Sequence, residues 1–347
     1  MKFLDFSKLK KGDKVAIVSP SFAAPGRWPL VYEHGLSRMR SVFGLDPVAF
    51  PATSKIGSST KERTDDLVAA FSDPTIKAVF ASLGGDDQVT YVKNLPKDVF
   101  RSNPKPFFGY SDNTHFMNHL WQLGIPSYYG GAIMTQFAMQ GEMDDLTITY
   151  LKHALFESGE FELRASSYYN DIGLSWDDPA NKDKMRVRED NDGWHWDLEE
   201  SVASQGISWG GCLESIDELL RHGVSLPSLD EFSECCLFFE TSEEIPTHDY
   251  VERVLRALGE REVLGRVKGL LVGRPKAWEF HKPATKEEKE EYRKLQRQAV
   301  VRVFRRYNKT SPIIQNLDFG HTDPQVCLPM GKSIIIDGRD RKLHAMF

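Results

Sequence analysis

Short apolar runs alternate with amphipathic stretches over the first ~160 residues, at the spacing of a parallel α/β sheet. Residues 14–19 (K-V-A-I-V-S) read as a buried strand running into Pro20-Ser21, and 76–83 as another that ends on Gly84-Gly85. Between them the pattern predicts helices over 32–43 and 60–72, the second opening on Ser-Thr and carrying Leu67, Val68 and Phe71, with a weak strand at 46–50. Phe107-Phe108-Gly109-Tyr110 is a third apolar run; it stops at Ser111, and Phe116, Leu120 and Leu123 then recur at helical spacing up to Gly124. A short strand at 127–129 precedes Gly130-Gly131, and a helix follows over 146–156.

From about 160 to 208 the periodicity fades, and Asp, Asn, Lys, Gly and Trp predominate. Loops of such length are usually functional or mobile. Beyond it the pattern returns, with helices over 213–221, 249–258 and 285–307, and strands at 235–239, 267–272, 312–318, 333–337 and 342–345. The division expected is an N-terminal α/β domain (1–160), a linker or insertion (161–208) and a C-terminal domain (209–347).

Composition narrows the function classes. Hydrophobic content of 40% and charged content of 27% suit a soluble globular chain. A net charge of -6 gives no electrostatic footprint for nucleic acid. The one gathering of Lys and Arg, 286–306, is interleaved with Glu287, Glu288, Glu290 and Glu291, and reads as a solvated helix face laced with i,i+4 pairs. No window approaches the ~18 apolar residues of a membrane span. The first residues, M-K-F-L-D-F-S-K-L-K-K, lack the apolar core of a signal peptide. The four cysteines (212, 235, 236 and 327) form no C-x-x-C, so buried thiols in a reducing cytoplasm are expected.

Three polar residues end strands or sit in glycine-bounded loops: Ser111, Glu240 after C-C-L-F-F, and His321 in D-F-G-H-T-D-P. An acyl-transfer site needs a nucleophile, a base that shuttles protons near neutral pH, and a carboxylate that orients the base. A serine on a tight strand-to-helix turn meets backbone N–H groups able to hold an oxyanion, although Asn113 stands where G-x-S-x-G has its second glycine. A Ser-Asp-Asn helix cap without chemistry explains the same residues. His115 and His119, at i,i+4, have metal-ligand spacing but no intervening carboxylate as in H-E-x-x-H, so two neutral helix histidines are expected. Trp194-His195-Trp196, with Trp176 and Trp209, makes an aromatic group suited to stacking on a flat ring, or to pinning the loop onto the core.

Taken together, V-A-I-V-S-P-S (15–21), S-L-G-G (82–85), F-F-G-Y-S-D (107–112), L-F-F-E-T-S-E-E-I-P (237–246), G-L-L-V-G-R (269–274), F-G-H (319–321) and L-P-M-G (328–331) resemble the LD-carboxypeptidase family of serine peptidases. The Trp-containing insertion is more similar to its microcin C immunity branch. The resemblance implies a flavodoxin-like N-terminal domain with a parallel sheet, a β-rich, barrel-like C-terminal α/β domain, a site between them, and a homodimer. By position it assigns Ser111 as nucleophile, Glu240 as carboxylate and His321 as base, with the backbone of Asp112 and of Gly84 or Gly85 as oxyanion hole. Two departures border the substrate: Asp86-Asp87 after the glycine pair, and Cys212 where Asn is common.

The expected activity is therefore a cytoplasmic serine hydrolase that cuts an amide near the C-terminal end of a small peptide or a peptidyl- or aminoacyl-nucleotide, without metal or organic cofactor. Trp194 and Trp196 are the expected base platform. A muropeptide LD-carboxypeptidase and a non-catalytic binding protein of the same fold are the alternatives.

Overall fold

The computed structural model describes residues 2–198 and 203–347; residues 199–202 of the expected linker lie outside the described residues. The parallel core of the first half forms in the order Asp46–Ala49, Lys14–Val18, Ile76–Ala81, Phe107–Gly109, Ser127–Tyr129. Val15 to Val18 and Ala78 to Ala81 are fully buried, which explains apolar runs without alternation: helices cover both faces of the sheet. The strand order is that of flavodoxin-like folds, whose ligands bind beyond the carboxyl ends of the strands where the winding reverses. Ser59 caps the helix Thr60–Ser72 in a reciprocal box with Glu62, and Thr285 does the same with Glu288 for Lys286–Tyr307.

The second sheet has eight strands, in the order Glu160–Leu163, Lys342–Met346, Ser333–Asp337, Ala203–Cys212, Cys235–Glu240, Gly269–Gly273, Ile313–Leu317, His195–Asp197. Its centre is parallel and its margins antiparallel. The sheets exchange strands across the expected boundaries. Glu160–Leu163 pairs in the second sheet, while Leu328–Met330 crosses back to lie antiparallel to Ser127–Tyr129 in the first. The strand Ala203–Cys212 begins inside the stretch read as linker. Its glycines hide it, because the backbones pass so closely that a Cβ on Gly206 would lie 2.8 Å from the Cys236 nitrogen and one on Gly210 1.7 Å from the Phe238 oxygen.

The expectation of a solvated basic helix needs correction. Lys286 and Lys294 do make exposed pairs, with Glu290 and Glu291. Lys289 and Arg293 instead turn inward onto the buried carboxylate of Asp171, at 3.0 and 2.5 Å. Tyr169 packs on the guanidinium of Arg293 at 4.5 Å, and Glu189 also accepts from Lys289. These contacts tie the small Tyr168–Tyr169/Glu189–Asp190 ribbon to the helix. All four cysteines are free and buried. Among the described residues no helix is long and apolar enough to cross a membrane.

Candidate active site

The Phe107–Gly109 strand delivers the chain to Ser111, whose φ of +64° places it in the left-handed region that non-glycine residues rarely occupy. A short turn, Ser111–Asn113, then feeds the helix Thr114–Trp121. Asn113 explains the missing elbow glycine. Its buried amide donates to the carbonyls of Leu83 (3.1 Å) and Tyr110 (2.9 Å) and accepts from Gln88, so it ties two strand ends together.

Gly84 lies against the serine: a Cβ there would stand 2.8 Å from the Ser111 Cβ, 3.0 Å from its Oγ and 3.5 Å from the Asp112 nitrogen. Gly85 has φ +158° and is pressed on Ser21. The backbone N–H groups of Gly84, Gly85 and Asp112 donate to no acceptor among the described residues, which leaves them available to an oxyanion.

Glu240, at the end of its strand, is fully buried, and its two oxygens have separate duties. Oε2 takes the His321 Nδ1 at 2.7 Å and the His321 backbone N–H at 3.2 Å. Oε1 accepts from the Tyr129 hydroxyl at 2.6 Å, which in turn accepts from the Ser111 N–H at 3.2 Å. Burial, reinforced by the Glu240 charge, pushes the Tyr129 phenol well up, so it stays a donor. Gly320 permits the approach, since a Cβ there would fall 2.4 Å from Glu240 Oε2. The other ring nitrogen, His321 Nε2, lies 2.9 Å from Glu243. Burial alone would disfavour a charged ring, yet the two carboxylates outweigh it and hold the His321 pKa well above the ordinary histidine value.

Ser111, His321, Gly84 and Gly85 line one cleft of about 710 Å³ between the sheets. Trp194 and Trp196, expected here, do not line it. Trp194 donates to Asp318 Oδ2 (2.9 Å), and Trp196 sits in the edge strand opposite Ile314, so both fasten the segment to the second sheet. Trp209 is buried against Phe232. The tryptophans of the cleft are Trp176 and Trp28, edge-to-face at 5.1 Å, with Trp28 Nε1 donating to Asp177. Cys212 is also absent from the lining: it is buried, with Sγ 3.2 Å from Glu214, because its N–H is drawn to Thr114 Oγ1 at 2.9 Å. Asp86 does line the cleft.

The helix histidines do not act as a pair. His119 packs on Phe100 and Phe116, and burial brings its pKa down to about 4. His115 Nε2 instead lies 2.9 Å from Glu218 and 3.5 Å from Asp112, the only metal-capable grouping among the described residues and a hydrogen-bonded clamp between the two halves. Tyr129, Glu243 and Trp28 escaped the sequence reading as site residues, whereas Trp176 was named with the aromatic group but not singled out as the cleft member. The one usable signal was Glu243 in E-T-S-E-E, three residues past Glu240.

Family models decide the relationship: the LD-carboxypeptidase N-terminal domain matches residues 15–130, and the C-terminal domain matches 205–336. The chain belongs to the LD-carboxypeptidase family. A Treponema pallidum (strain Nichols) protein whose name makes it a carboxypeptidase candidate is 28% identical over 340 residues, covering 96% of this chain and 92% of that one. Among solved structures, an MccF-like protein from Streptococcus pneumoniae in complex with AMP is 25% identical with a TM-score of 0.83, covering 96% of this chain and 98% of that one. The microcin C7 self-immunity protein MccF in complex with aspartyl sulfamoyl adenosine has the same fold, at 21% identity and a TM-score of 0.84 over 99% of this chain and 98% of that one.

Proposed function

We propose that this LD-carboxypeptidase-family chain is a serine hydrolase that cleaves an amide near the C-terminal end of a small peptide or a peptidyl- or aminoacyl-nucleotide. The observation that carries the reading is a left-handed Ser111 sharing a cleft with His321, whose Nδ1 is fixed by buried Glu240. Ser111 Oγ adds to the carbonyl while His321 Nε2 takes its proton, and the N–H groups of Asp112 and of Gly84 or Gly85 receive the developing oxyanion. The imidazolium, steadied by Glu240, gives that proton to the leaving nitrogen; water then repeats the sequence on the acyl-enzyme.

The nucleotide form of the substrate is favoured by Trp28 and Trp176, which offer aromatic surface in the cleft, and by the AMP complex of the Streptococcus pneumoniae relative. A muropeptide ending in a D-amino acid is the second reading, favoured by the family match over both halves. Incubation with an aminoacyl-sulfamoyl-adenosine and with a cell-wall tetrapeptide, each followed by mass spectrometry, separates the two. Ser111→Ala should lower kcat by about six orders of magnitude, as loss of the nucleophile does in a dissected triad. A variant that kept a tenth of the wild-type rate would remove Ser111 from the nucleophile's role, and hydrolysis of neither substrate would leave a binding protein of this fold.

A further inference from the structure

A histidine that serves as base must offer a lone pair at Nε2. Here that nitrogen is paired: a Glu243 carboxylate oxygen lies 2.9 Å from it, while Glu240 accepts from Nδ1 at 2.7 Å. The imidazole is thus clamped between two carboxylates in its protonated form, and Ser111 has no acceptor for its proton. Glu240 is sealed in the interior, whereas the Glu243 side chain is 52% exposed and faces the cleft. Only Glu243 is therefore free to be drawn away.

The charges around it say by what. The cleft's own cations are already engaged: Arg186 with Asp323 at 2.6 Å, and Lys276 with Glu279 at 3.4 Å. Glu244 and Asp86, which line the same cleft, have no cationic partner among the described residues. An entering cation finds uncompensated carboxylates in the cleft it shares with Ser111.

Resting on the hydrolase reading above, we propose that Glu243 is a positioning residue that makes turnover depend on a protonated amine on the acyl side of the scissile amide: the ammonium takes the carboxylate and releases His321. The exchange balances. The Nε2 proton leaves to water as the ammonium takes its place beside Glu243, so one positive charge replaces another. Ser111 then gives its proton to the vacated Nε2 as Oγ bonds to the carbonyl carbon, and that proton passes to the leaving nitrogen as the C–N bond breaks. The amine is the α-ammonium of an aminoacyl conjugate or the side-chain ammonium of a diamino residue in a peptide; the chemistry at Glu243 is the same.

The test compares kcat/KM of wild type and Glu243→Gln on norleucyl-, N-acetylnorleucyl- and Nα-acetyl-lysyl-sulfamoyl-adenosine, and on a cell-wall tetrapeptide with its penultimate side-chain amine free or acetylated. Wild type should prefer the free amine at least about tenfold, the discrimination of one good charge contact. Glu243→Gln should bring that ratio within about twofold by raising turnover of the acetylated substrates. The norleucyl and acetyl-lysyl arms tell which amine is read. The acid limb of the variant's pH profile should also move to lower pH. His321 is faced by Glu240 and Glu243 as carboxylates, by the Tyr110 ring at 5.0 Å, and by Lys276 near Glu243, so removing one carboxylate lowers its pKa and leaves it neutral over a wider range. Glu243→Asp should restore part of the preference, which a merely structural role would not.

A readout without turnover keeps the two readings apart. In Ser111→Ala, a saturating free-amine conjugate should move the His321 Nε2 15N shift from its protonated to its unprotonated position at pH 7, and the acetylated conjugate should not. Hydrolysis without amine preference, or equal shifts with both conjugates, overturns the gate and keeps the enzyme. An amine-dependent shift without hydrolysis of any substrate overturns the enzyme and keeps the gate.

Discussion

The Ser111–Glu240–His321 cluster and the 164–198 segment lie on the two sides of one cleft, yet they are held by different forces. Ser111, Glu240 and His321 project from the ends of strands whose flanks are completely buried, so their positions are fixed by packing over the whole of both sheets. The segment packs Trp176, Trp194 and Trp196 on the core but carries no buried apolar run of its own. It is fixed by charge: Asp171 between Lys289 and Arg293, Arg186 between Asp323 and Asp144, and Trp194 on Asp318. Geometry that must hold to a fraction of an ångström is built on hydrophobic layers. The facing wall of the cleft is tied down by a few ion pairs and hydrogen bonds, each of which a single substitution removes.

After loss of Ser111 itself, the largest expected effect also lies on the packed side. Glu240→Gln keeps the shape but removes the charge that steadies the imidazolium and fixes its tautomer, and kcat should fall about 10⁴-fold, as the analogous change does in other triads. Because the Gln side chain keeps the volume and one accepting oxygen, the melting temperature should change little by comparison. A loss under about tenfold in pre-steady-state acylation would show that Glu240 does not orient the base.

On the other side the order of effects should invert. Asp171 is buried and accepts from Lys289, Arg293 and the Ala277 N–H, so Asp171→Asn leaves Arg293 without a carboxylate and Lys289 with Glu189 alone. About 3–5 kcal/mol of stability should be lost, the usual result of breaking a buried pair from one side. A urea titration checks this, and kcat/KM on a free-amine conjugate below the transition should stay near wild type. A loss of kcat/KM as large as that of Glu240→Gln would mean that the two regions do not stand apart.

The same contrast decides what was legible beforehand. Apolar runs ending in Ser111, Glu240 and before His321 carry a periodic signal, so the sheet and the three polar ends could be read from residue order alone. Where glycines replaced alternation, as along Ala203–Cys212, the strand was invisible. In the polar segment no periodicity exists, and its anchors join residues more than a hundred positions apart, such as Asp171 with Lys289. Nothing local distinguishes Trp194, which fastens the loop, from Trp176, which faces the cleft. Tyr129 was read correctly as a strand residue, but its bridge from Ser111 to Glu240 depends on the two halves meeting.

The smallest effect sharpens that distinction between tryptophans. Trp176 meets Trp28 edge-to-face at 5.1 Å, Trp28 is held by Asp177, and both line the cleft that Ser111 lines. If a nucleobase stacks there, Trp176→Ala should cost about 1–3 kcal/mol of binding for an adenylated substrate and leave a peptide lacking the base nearly untouched. Trp194→Ala should instead reduce both substrates alike and lower the urea midpoint, since it frees Asp318 from one of its donors. Measuring kcat/KM for both substrates in both variants gives four numbers whose pattern is decisive. A base-specific loss in Trp194→Ala would return the platform to the edge strand. An equal loss on both substrates in Trp176→Ala would make the cleft tryptophan a wall rather than a reader, and would move the muropeptide reading ahead.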